Sequence, residues 1–560
     1  MSLKRNILLG IAVAGVLAAQ ASAEWVNIND DSIQAGQTQT WSSSNKYILH
    51  GKVCIENGAR LYIPAGTKVY ADGNSADSAS MLIVCRGGRL YAQGTAEIPI
   101  VFTSIYDTLS APLPLTNDAR GLWGGINIFG RAPLNVPGGV ADLSGDITLA
   151  DTSKLRYGDS TAANPYDTSG ILHYVSIRYT GMSDKSQIKG CFLACVGKGT
   201  IIDHIESFLG AEDGINLTGG TVDLKYVISA FQAGDGLYSE GGYQGRIQYY
   251  FGIQNVVEGP AVNGCMTKIE SDDLGAYPLT IPQIYNATYI GTGVSNPDTW
   301  KYKYGIYFKA NGAGTIANSI LTQCSNYGMY VEDKGPMGSA TKPSCRARLD
   351  SGSLVLKSNI IYGFGKGDTI DSIAKALPFL QSYLTADSNK NTFADPQIAG
   401  FSWLRDGKLD PRPSVSGSAT QNVAMTPADG FFDQTTYRGA FAPTGSLWTT
   451  GWSALATTDI FKADAVTFTK NNSMASKPAP NMRIAGRGNC RQLSWNQTSA
   501  GKSSVTLFAT NGKSVRLYET GYQPVGARSL AISLKGIPAG LYVLKVQYSG
   551  VMQSGLVCKQ

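Results

Sequence analysis

Histidine is scarce in this chain of 560 residues, where it occurs only as His50, His173 and His204. Protein zinc sites draw on histidine and cysteine at characteristic spacings, and with so few histidines no zinc centre is predicted. The sequence also has no G-x-S-x-G motif, so the nucleophile elbow of a hydrolase is not expected. Although Asp203 stands beside His204, the sequence therefore predicts no Ser-His-Asp catalysis.

Charge and long apolar runs are also limited. Charged residues make up 16% of the chain, and the one conspicuous apolar run, Ile7 to Ala19, is too short to span a bilayer. Lys4 and Arg5 precede this run, and Ala21-Ser22-Ala23 follows it as a small-residue cleavage site. This order is typical of a secretory signal peptide. Residues 1–23 are therefore predicted to direct export, and the exported chain is not expected to be an integral membrane protein.

The chain contains a loose repeat of short strand-like runs, each closed by glycine and polar residues. Arg60-Leu61-Tyr62 returns as Arg89-Leu90-Tyr91, 29 residues later. Val175 and Ile205 occupy matching positions 30 residues apart, and Val227 follows 22 residues after Ile205. Repeats of this length, built from strands and turns without a helical period, indicate stacked coils. The sequence therefore predicts an all-β chain whose main body is a right-handed parallel β-helix.

Composition divides the chain further. Residues 24–461 are predicted to form the β-helix with inserted loops, and Ala132 to Thr168 reads as a long loop that leaves the stack. The turn-rich, aromatic residues Asp410 to Thr458 are expected to cap the end of the stack, because an open end exposes unpaired strand edges. Residues 462–488 read as a linker.

Residues 489–560 form a separate basic module. From Gly488 onward there are eight Lys or Arg residues and one acid, Glu519. Alternating runs around the turn signal Asn511-Gly512 predict a small antiparallel β-sandwich. Nucleic acid is not an expected partner, since the basic residues are scattered along strands and the chain is predicted to be exported.

Two aspartates are candidates for chemistry. Asp213 and Asp235 stand in the matching contexts Ala211-Glu212-Asp213-Gly214 and Ala233-Gly234-Asp235-Gly236, one coil apart. Adjacent strands lie about 4.8 Å apart, so the two carboxylates are expected side by side. Such a pair suits acid/base catalysis or a calcium site, and aspartate beside glycine is also common in turns with no further role. The sequence leaves these three interpretations open.

An aromatic run is the candidate for ligand binding. In the segment Trp300 to Tyr307, alternation places Trp300, Tyr302 and Tyr304 on one face of a strand. A row of aromatic faces on an exposed strand can stack on the sugars of a glycan chain. The alternative is that the same face packs into the core, as aromatic residues in strands often do.

The tail resembles the carboxy-terminal sorting domain of type IX secretion cargo. The resemblance rests on Val505 to Phe508, Asn511 to Val515 and Leu534 to Val543. It implies that residues 489–560 are recognised by a secretion machinery, which places the chain outside the cell or on its outer surface. Cys558, near the end, departs from the pattern of many members.

The body is similar to exported β-helix proteins that carry this sorting domain. Four blocks carry the similarity, and they look structural: Gly94 to Ser104; Trp123 to Gly125 with Gly130 to Pro133; Gly219 to Val222; and Tyr437 to Phe441 with Gly451 and Trp452. This resemblance transfers no catalytic residue.

The functional expectation follows from these points. Parallel β-helices often carry polysaccharide lyases and hydrolases, which is an analogy of fold only. The Gly-His-Gly and Arg-Ile-Lys motifs of polygalacturonase-like enzymes are absent. We therefore expect a non-catalytic binding or structural protein, acting on polysaccharide or in surface adhesion, that needs no cofactor, with calcium as an option. The alternative is a carbohydrate-active lyase or hydrolase that works in an outer groove of the β-helix.

Overall fold

The computed structural model is predominantly β. It describes residues 24–73, 79–109, 115–116, 119–143, 147, 149–181, 188–255, 264–271, 276–295, 304–335, 338–339, 342–461, 482–485, 490–497, 501–509, 514–523, 526–538, 540–548 and 551–559. The proposed signal peptide lies outside these ranges. In the part of the chain so described, no helix has the length and apolar character required to cross a membrane. Contacts divide the chain into two units, Met1–Ala465 and Val466–Gln560.

One side of the first unit is a sheet of nine parallel strands, one from each successive coil. Its strands are Lys52–Ile55, Met81–Val84, Ile126–Phe129, Cys191–Ala194, Ile215–Thr218, Leu237–Glu240, Thr267–Glu270, Tyr304–Lys309 and Tyr327–Val331. We call this the nine-stranded sheet. Alternate side chains point into the coil, so Ile215 and Leu217 join the interior core while Asn216 faces outward.

The other sides belong to a sheet of 17 strands, also parallel. Its strands are Trp25–Ile28, Thr38–Thr40, Lys46–Leu49, Arg60–Pro64, Lys68–Ala71, Arg89–Gln93, Ile100–Ser104, Gly170–Arg178, Ile201–Phe208, Leu224–Ala230, Arg246–Ile253, Gln283–Tyr285, Thr288–Ile290, Gly314–Ala317, Ile320–Cys324, Leu354–Lys357 and Ile360–Phe364. Together with the nine-stranded sheet, these strands enclose a continuous apolar core. The predicted parallel β-helix is confirmed.

The register matches the repeat seen in the sequence. Arg60 pairs with Arg89, and Val175 pairs with Ile205, which pairs in turn with Val227. The spacings of 29, 30 and 22 residues are therefore the lengths of individual coils.

A left-handed residue bends each long strand of the 17-stranded sheet into two rows. Tyr174, His204, Tyr226 and Tyr249 have φ of 50°, 51°, 57° and 60°. This conformation costs roughly 1–2 kcal/mol for a residue with a Cβ. Their rings stack in sequence at centroid distances of 4.1, 4.4 and 4.7 Å. The stacking offsets the backbone cost and marks one corner of the coils.

The insertion between residues 132 and 168 lies outside the two sheets of the coils and packs against their outer face. It carries the short antiparallel pair Val140–Asp142 and Arg156–Gly158 and the 3-10 turns Pro137–Gly139 and Thr152–Leu155. Ile147 and Leu155 pack with Phe129 and Phe192, which point outward from the nine-stranded sheet. The insertion follows the apolar part of that face because burying it removes apolar surface from water.

The end of the stack is closed by helices. Ile370–Ile373 and Pro378–Thr385 contribute Ile373, Leu380 and Leu384 to the interior core. Other helical segments among the described residues include Cys345–Asp350 and Ala454–Thr457, with 3-10 turns at Asp387–Asn389 and Ser418–Thr420.

Residues 410–458, which were predicted to form this cap, run instead along the side of the coils. Their contacts extend from Asn318, which accepts from the Ala424 N–H, back to Glu206, which accepts from the Ala454 N–H. Ile398–Gly400 and Asp410–Pro413 form a short antiparallel pair near the start of this run, and we call residues 397–461 as a whole the flanking segment. The segment therefore covers a flank and not an end.

The second unit contains two antiparallel sheets. One comprises Met482–Ala485, Cys490–Gln497 and Gly526–Ser533; the other comprises Ser514–Gln523, Gly501–Ala509, Gly540–Tyr548 and Val551–Lys559. Trp495 and Ile532 of the first sheet share one buried cluster with Leu507 and Leu544 of the second. This unit therefore has a hydrophobic core of its own.

Candidate functional site

Polar and aromatic side chains occupy the outward face of the last coils of the nine-stranded sheet. Five residues are aligned by strand register into one row, which we call the outer row: Asn216, Tyr238, Lys268, Tyr307 and Tyr330. In earlier coils the same position holds Cys54, Ile83, Asn127 and Phe192, and all of these but Asn127 lie in the apolar cluster beneath the insertion. The face thus changes from mostly apolar to polar along the stack, and most of the outer row is half-buried.

An ionic network sits at the centre of the outer row. The Glu270 carboxylate accepts from the Tyr238 hydroxyl at 2.7 Å and pairs with Lys268 Nζ at 2.9 Å and Lys309 Nζ at 2.7 Å. Lys268 Nζ also lies 4.2 Å from the centroid of the Tyr238 ring. Burial raises the pKa of Glu270, but the two ammonium groups outweigh burial and hold this pKa below its ordinary value. The network therefore stays ionised at neutral pH.

Three tyrosines form the far end of the site. Tyr304 and Tyr330 stack with centroids 4.8 Å apart, and Tyr307 lies 5.3 Å from Tyr330. Lys375 Nζ is 2.5 Å from the Tyr304 hydroxyl and 4.7 Å from the centroid of the Tyr330 ring. Burial raises the pKa of Tyr304 to about 12, so its hydroxyl remains protonated.

Asp213 and Asp235 lie just before the strands of two adjacent coils. Asp213 accepts from the Asp235 N–H at 2.8 Å and pairs with Lys189 Nζ at 2.9 Å. Asp235 accepts in the same way from the Cys265 N–H at 2.5 Å. Each aspartate therefore ties its own coil to the backbone of the next, and both are only 5–6% exposed.

The two carboxylates have different environments. Burial, reinforced by the negative charge of Asp213, raises the pKa of Asp235 to about 7, whereas Asp213 is held by the ammonium of Lys189. Burial also raises the pKa of the neighbouring Glu212 to about 7. Carboxyl groups that titrate near neutrality can act as general acids or bases, and they also occur in structural networks.

Calcium requires several oxygen ligands with no cation already among them. Here the ammonium of Lys189 lies within 2.9 Å of Asp213, and backbone N–H groups engage an oxygen of each aspartate. Because these oxygens are already engaged by backbone N–H groups and by Lys189, few are left to coordinate a metal ion.

The aromatic run is only partly described. Trp300 and Tyr302 lie outside the described residues, so their predicted part in ligand binding stays a prediction. Tyr304 begins a strand of the nine-stranded sheet and is 5% exposed. Tyr307, the last residue of the predicted segment, and Tyr330, which sequence reasoning missed, are the more accessible rings beside it.

Lys268, Glu270, Lys309 and Lys375 were also missed as site residues. The sequence does hold a signal for the first three, because coil register aligns them once the strands of the nine-stranded sheet are paired. Lys375 arrives from the segment after a helix, and strand periodicity does not reach it.

Comparison with known proteins gives a family for this arrangement. Residues 33–354 match the family model of the pectate-lyase-like β-helix domain. Among curated proteins, none matches this sequence.

Two solved structures are similar at low identity. Full-length tailspike protein 2 of Escherichia coli O157:H7 bacteriophage CAB120 is 8% identical with a TM-score of 0.21, over 96% of this chain and 68% of the tailspike. The enzymatically active domain of tailspike protein 2 of bacteriophage CBA120 is 10% identical with a TM-score of 0.18, over 92% of this chain and 72% of that domain. The family model covers more than half of the 560 residues. The chain belongs to the pectate-lyase-like β-helix family.

Proposed function

We propose that this protein binds polysaccharide along the outer row of the nine-stranded sheet. The observation that carries the proposal is the alignment of Tyr238, Lys268, Tyr307 and Tyr330 in one register row, half-buried on the outward face. Carbohydrate sites combine aromatic faces, on which sugar rings stack, with charged groups that hydrogen-bond to hydroxyls. The family's description, pectate-lyase-like, supports the same class of ligand.

The spacing of the row suits an extended chain. Successive strands lie about 4.8 Å apart, so a linear ligand lying across the strands meets a new side chain at every coil. Lys309 and Lys375 stand at the tyrosine end and favour sugars that carry carboxylates. The ion pairs of Lys268 with Glu270 fix the geometry before binding, which lowers the entropic cost of association.

A glycan array with the purified protein tests this proposal. The wild type is expected to bind a subset of neutral or acidic glycans, and Tyr330→Ala is expected to weaken that binding at least about 10-fold, by loss of one stacking surface. Tyr62→Ala is the matched control, since Tyr62 is also an accessible tyrosine stacked on another, Tyr91, but on a different face. Equal loss in both variants, or no glycan bound by the wild type, refutes the proposal.

A catalytic role is the second candidate, and Asp235 is the observation that favours it. Its pKa near 7 beside the ion-paired Asp213 matches the division of roles between acid and base in carboxylate pairs. A reducing-end assay on the bound glycans, with a parallel search for unsaturated products, separates the two functions. Product release that Asp235→Asn abolishes makes the protein an enzyme; binding without product leaves it a binding protein.

The proposed site of action is outside the cell or on its outer surface, reached through residues 489–560. Two features support this: the resemblance of the tail to type IX sorting domains, and the separate core of the second unit. Deletion of residues 489–560 is expected to retain the β-helix in the periplasm. Surface display of the truncated chain at the wild-type level would contradict the sorting role.

A further inference from the structure

We propose that His173, Asp203 and His204 form a binding site for a divalent transition-metal cation of the Zn²⁺ type. Asp203 Oδ1 lies 2.5 Å from His173 Nδ1 and 2.6 Å from His204 Nδ1. The ligand atoms of the three residues all lie within 4.8 Å of one another. Two imidazole nitrogens with one carboxylate oxygen are a donor set that such cations prefer.

Coil register creates this convergence. His173 and Asp203 are paired residues on adjacent parallel strands, Gly170–Arg178 and Ile201–Phe208. His204 follows Asp203 directly, and its left-handed backbone, with φ of 51°, turns its ring toward the same point. The three donors therefore come from neighbouring positions on two rigid strands and not from a loop.

The second imidazole is held in place by its neighbours. The His204 ring lies between the rings of Tyr174 and Tyr226, at 4.1 and 4.4 Å, and is edge-on to Trp452 at 5.8 Å. A ligand fixed in this way loses little freedom when it binds a cation, which favours affinity.

The site is open on its other side. The side chains of His173 and Asp203 are 37% and 32% exposed. A metal–ligand distance of about 2.1 Å and tetrahedral angles require donors roughly 3.4 Å apart. The accessible carboxylate can move away from the imidazoles from 2.5–2.6 Å to this separation. Water can complete the coordination.

The neighbouring charges permit a cation. Lys225 is the register partner of Asp203 on the next strand, but its ammonium pairs with Asp433 at 2.9 Å. The ammonium of Lys225 is therefore engaged by Asp433 and not by the proposed ligand Asp203.

Titration of the full chain, made without a histidine tag, with Zn²⁺ and with Co²⁺ tests the site. We expect one equivalent to bind in calorimetry and to raise the Tm. Asp203→Asn and His173→Ala are each expected to weaken binding at least about 10-fold, since even indirect supporters of metal ligands cost that much. Circular dichroism checks that both variants are folded.

His50→Ala is the matched control. His50 also contacts an aspartate, Asp72, at 2.6 Å, but its other nitrogen contacts Asn27 at 2.8 Å. The His50→Ala variant should therefore bind the cation as tightly as the wild type does. The proposal is overturned if the wild type binds neither cation, if Asp203→Asn and His173→Ala bind as well as the wild type, or if His50→Ala loses binding equally.

Discussion

The backbone N–H of Ala454 donates a 2.6 Å hydrogen bond to the carboxylate of Glu206, 248 residues earlier in the chain. Glu206 is fully buried and also accepts from the Ser176 hydroxyl at 2.5 Å. Its second oxygen accepts from the Leu455 N–H at 3.4 Å. One carboxylate thus joins two adjacent coils to the first turn of the helix Ala454–Thr457, and so fastens the flanking segment to the β-helix.

Glu206→Ala is expected to destabilise the protein by about 3–5 kcal/mol, because removal of one buried charge leaves its partners uncompensated. The nearby Arg178 would lose a compensating negative charge, and the two N–H groups of the helix would lose their acceptor. The measurement is the Tm, together with the rate at which protease cleaves within residues 397–461. Asp350→Ala is the control: its carboxylate is 65% exposed in an ion pair with Arg346, and its loss should cost no more than about 1 kcal/mol. Equal Tm shifts for the two variants would contradict the anchoring role.

The buried carboxyl of Asp235 predicts a pH dependence of stability. Its pKa is about 7 in the folded protein and about 3.9 when unfolded. Between these values the folded state binds more protons, so the contribution of Asp235 to stability falls as the pH rises from about 4 to 7. Asp235→Asn resembles the protonated form and is free of this loss.

The Tm of Asp235→Asn should therefore match that of the wild type at about pH 4 and exceed it at about pH 8. Thermal unfolding followed by circular dichroism at both pH values gives the comparison. A variant that is less stable than the wild type at the higher pH would show that Asp235 is stabilising as a carboxylate.

Close stacking of the coils predicts a steric effect at Gly125. Its φ is 74°, and a Cβ there would lie 2.2 Å from the carbonyl oxygen of Gly190 on the next coil. Gly125→Ala must therefore separate the coils and should lower the Tm by several degrees. Gly138→Ala measures the cost of the left-handed backbone alone, since Gly138 has φ of 78° with no atom within 4 Å of an added Cβ. This control variant should lose only about 1–2 kcal/mol of stability. Equal shifts would mean that the close approach carries no energy.

Much of the fold could be predicted because the spacing of the sequence repeat gives the length of each coil. Strand alternation and the spacing of Val175, Ile205 and Val227 indicate which residues stack, and the structure has that register. The same offset of 30 residues carries His173 onto Asp203. The small number of histidines argued against a metal site in the sequence analysis. The coil register, applied to His173, would have placed it beside Asp203 and His204.

The flanking segment could not be predicted in the same way. Its position depends on single contacts between distant residues, such as Arg246 with Asp429 at 2.8 Å and Trp403 with the Gly291 carbonyl at 2.9 Å. Neither periodicity nor composition encodes such partners. The packing of the insertion at residues 132–168 was not predicted for a related reason: its apolar residues are sparse in sequence and form a surface only when folded against Phe129.

The most direct measurement of the central claim is the affinity of the wild type and of Tyr307→Ala, Tyr330→Ala and Tyr62→Ala for a glycan identified on the array. If polysaccharide lies along the outer row, both row variants bind at least about 10-fold more weakly, while Tyr62→Ala binds as the wild type does. If all three variants bind as tightly as the wild type, the outer row is not the binding site and the central claim fails.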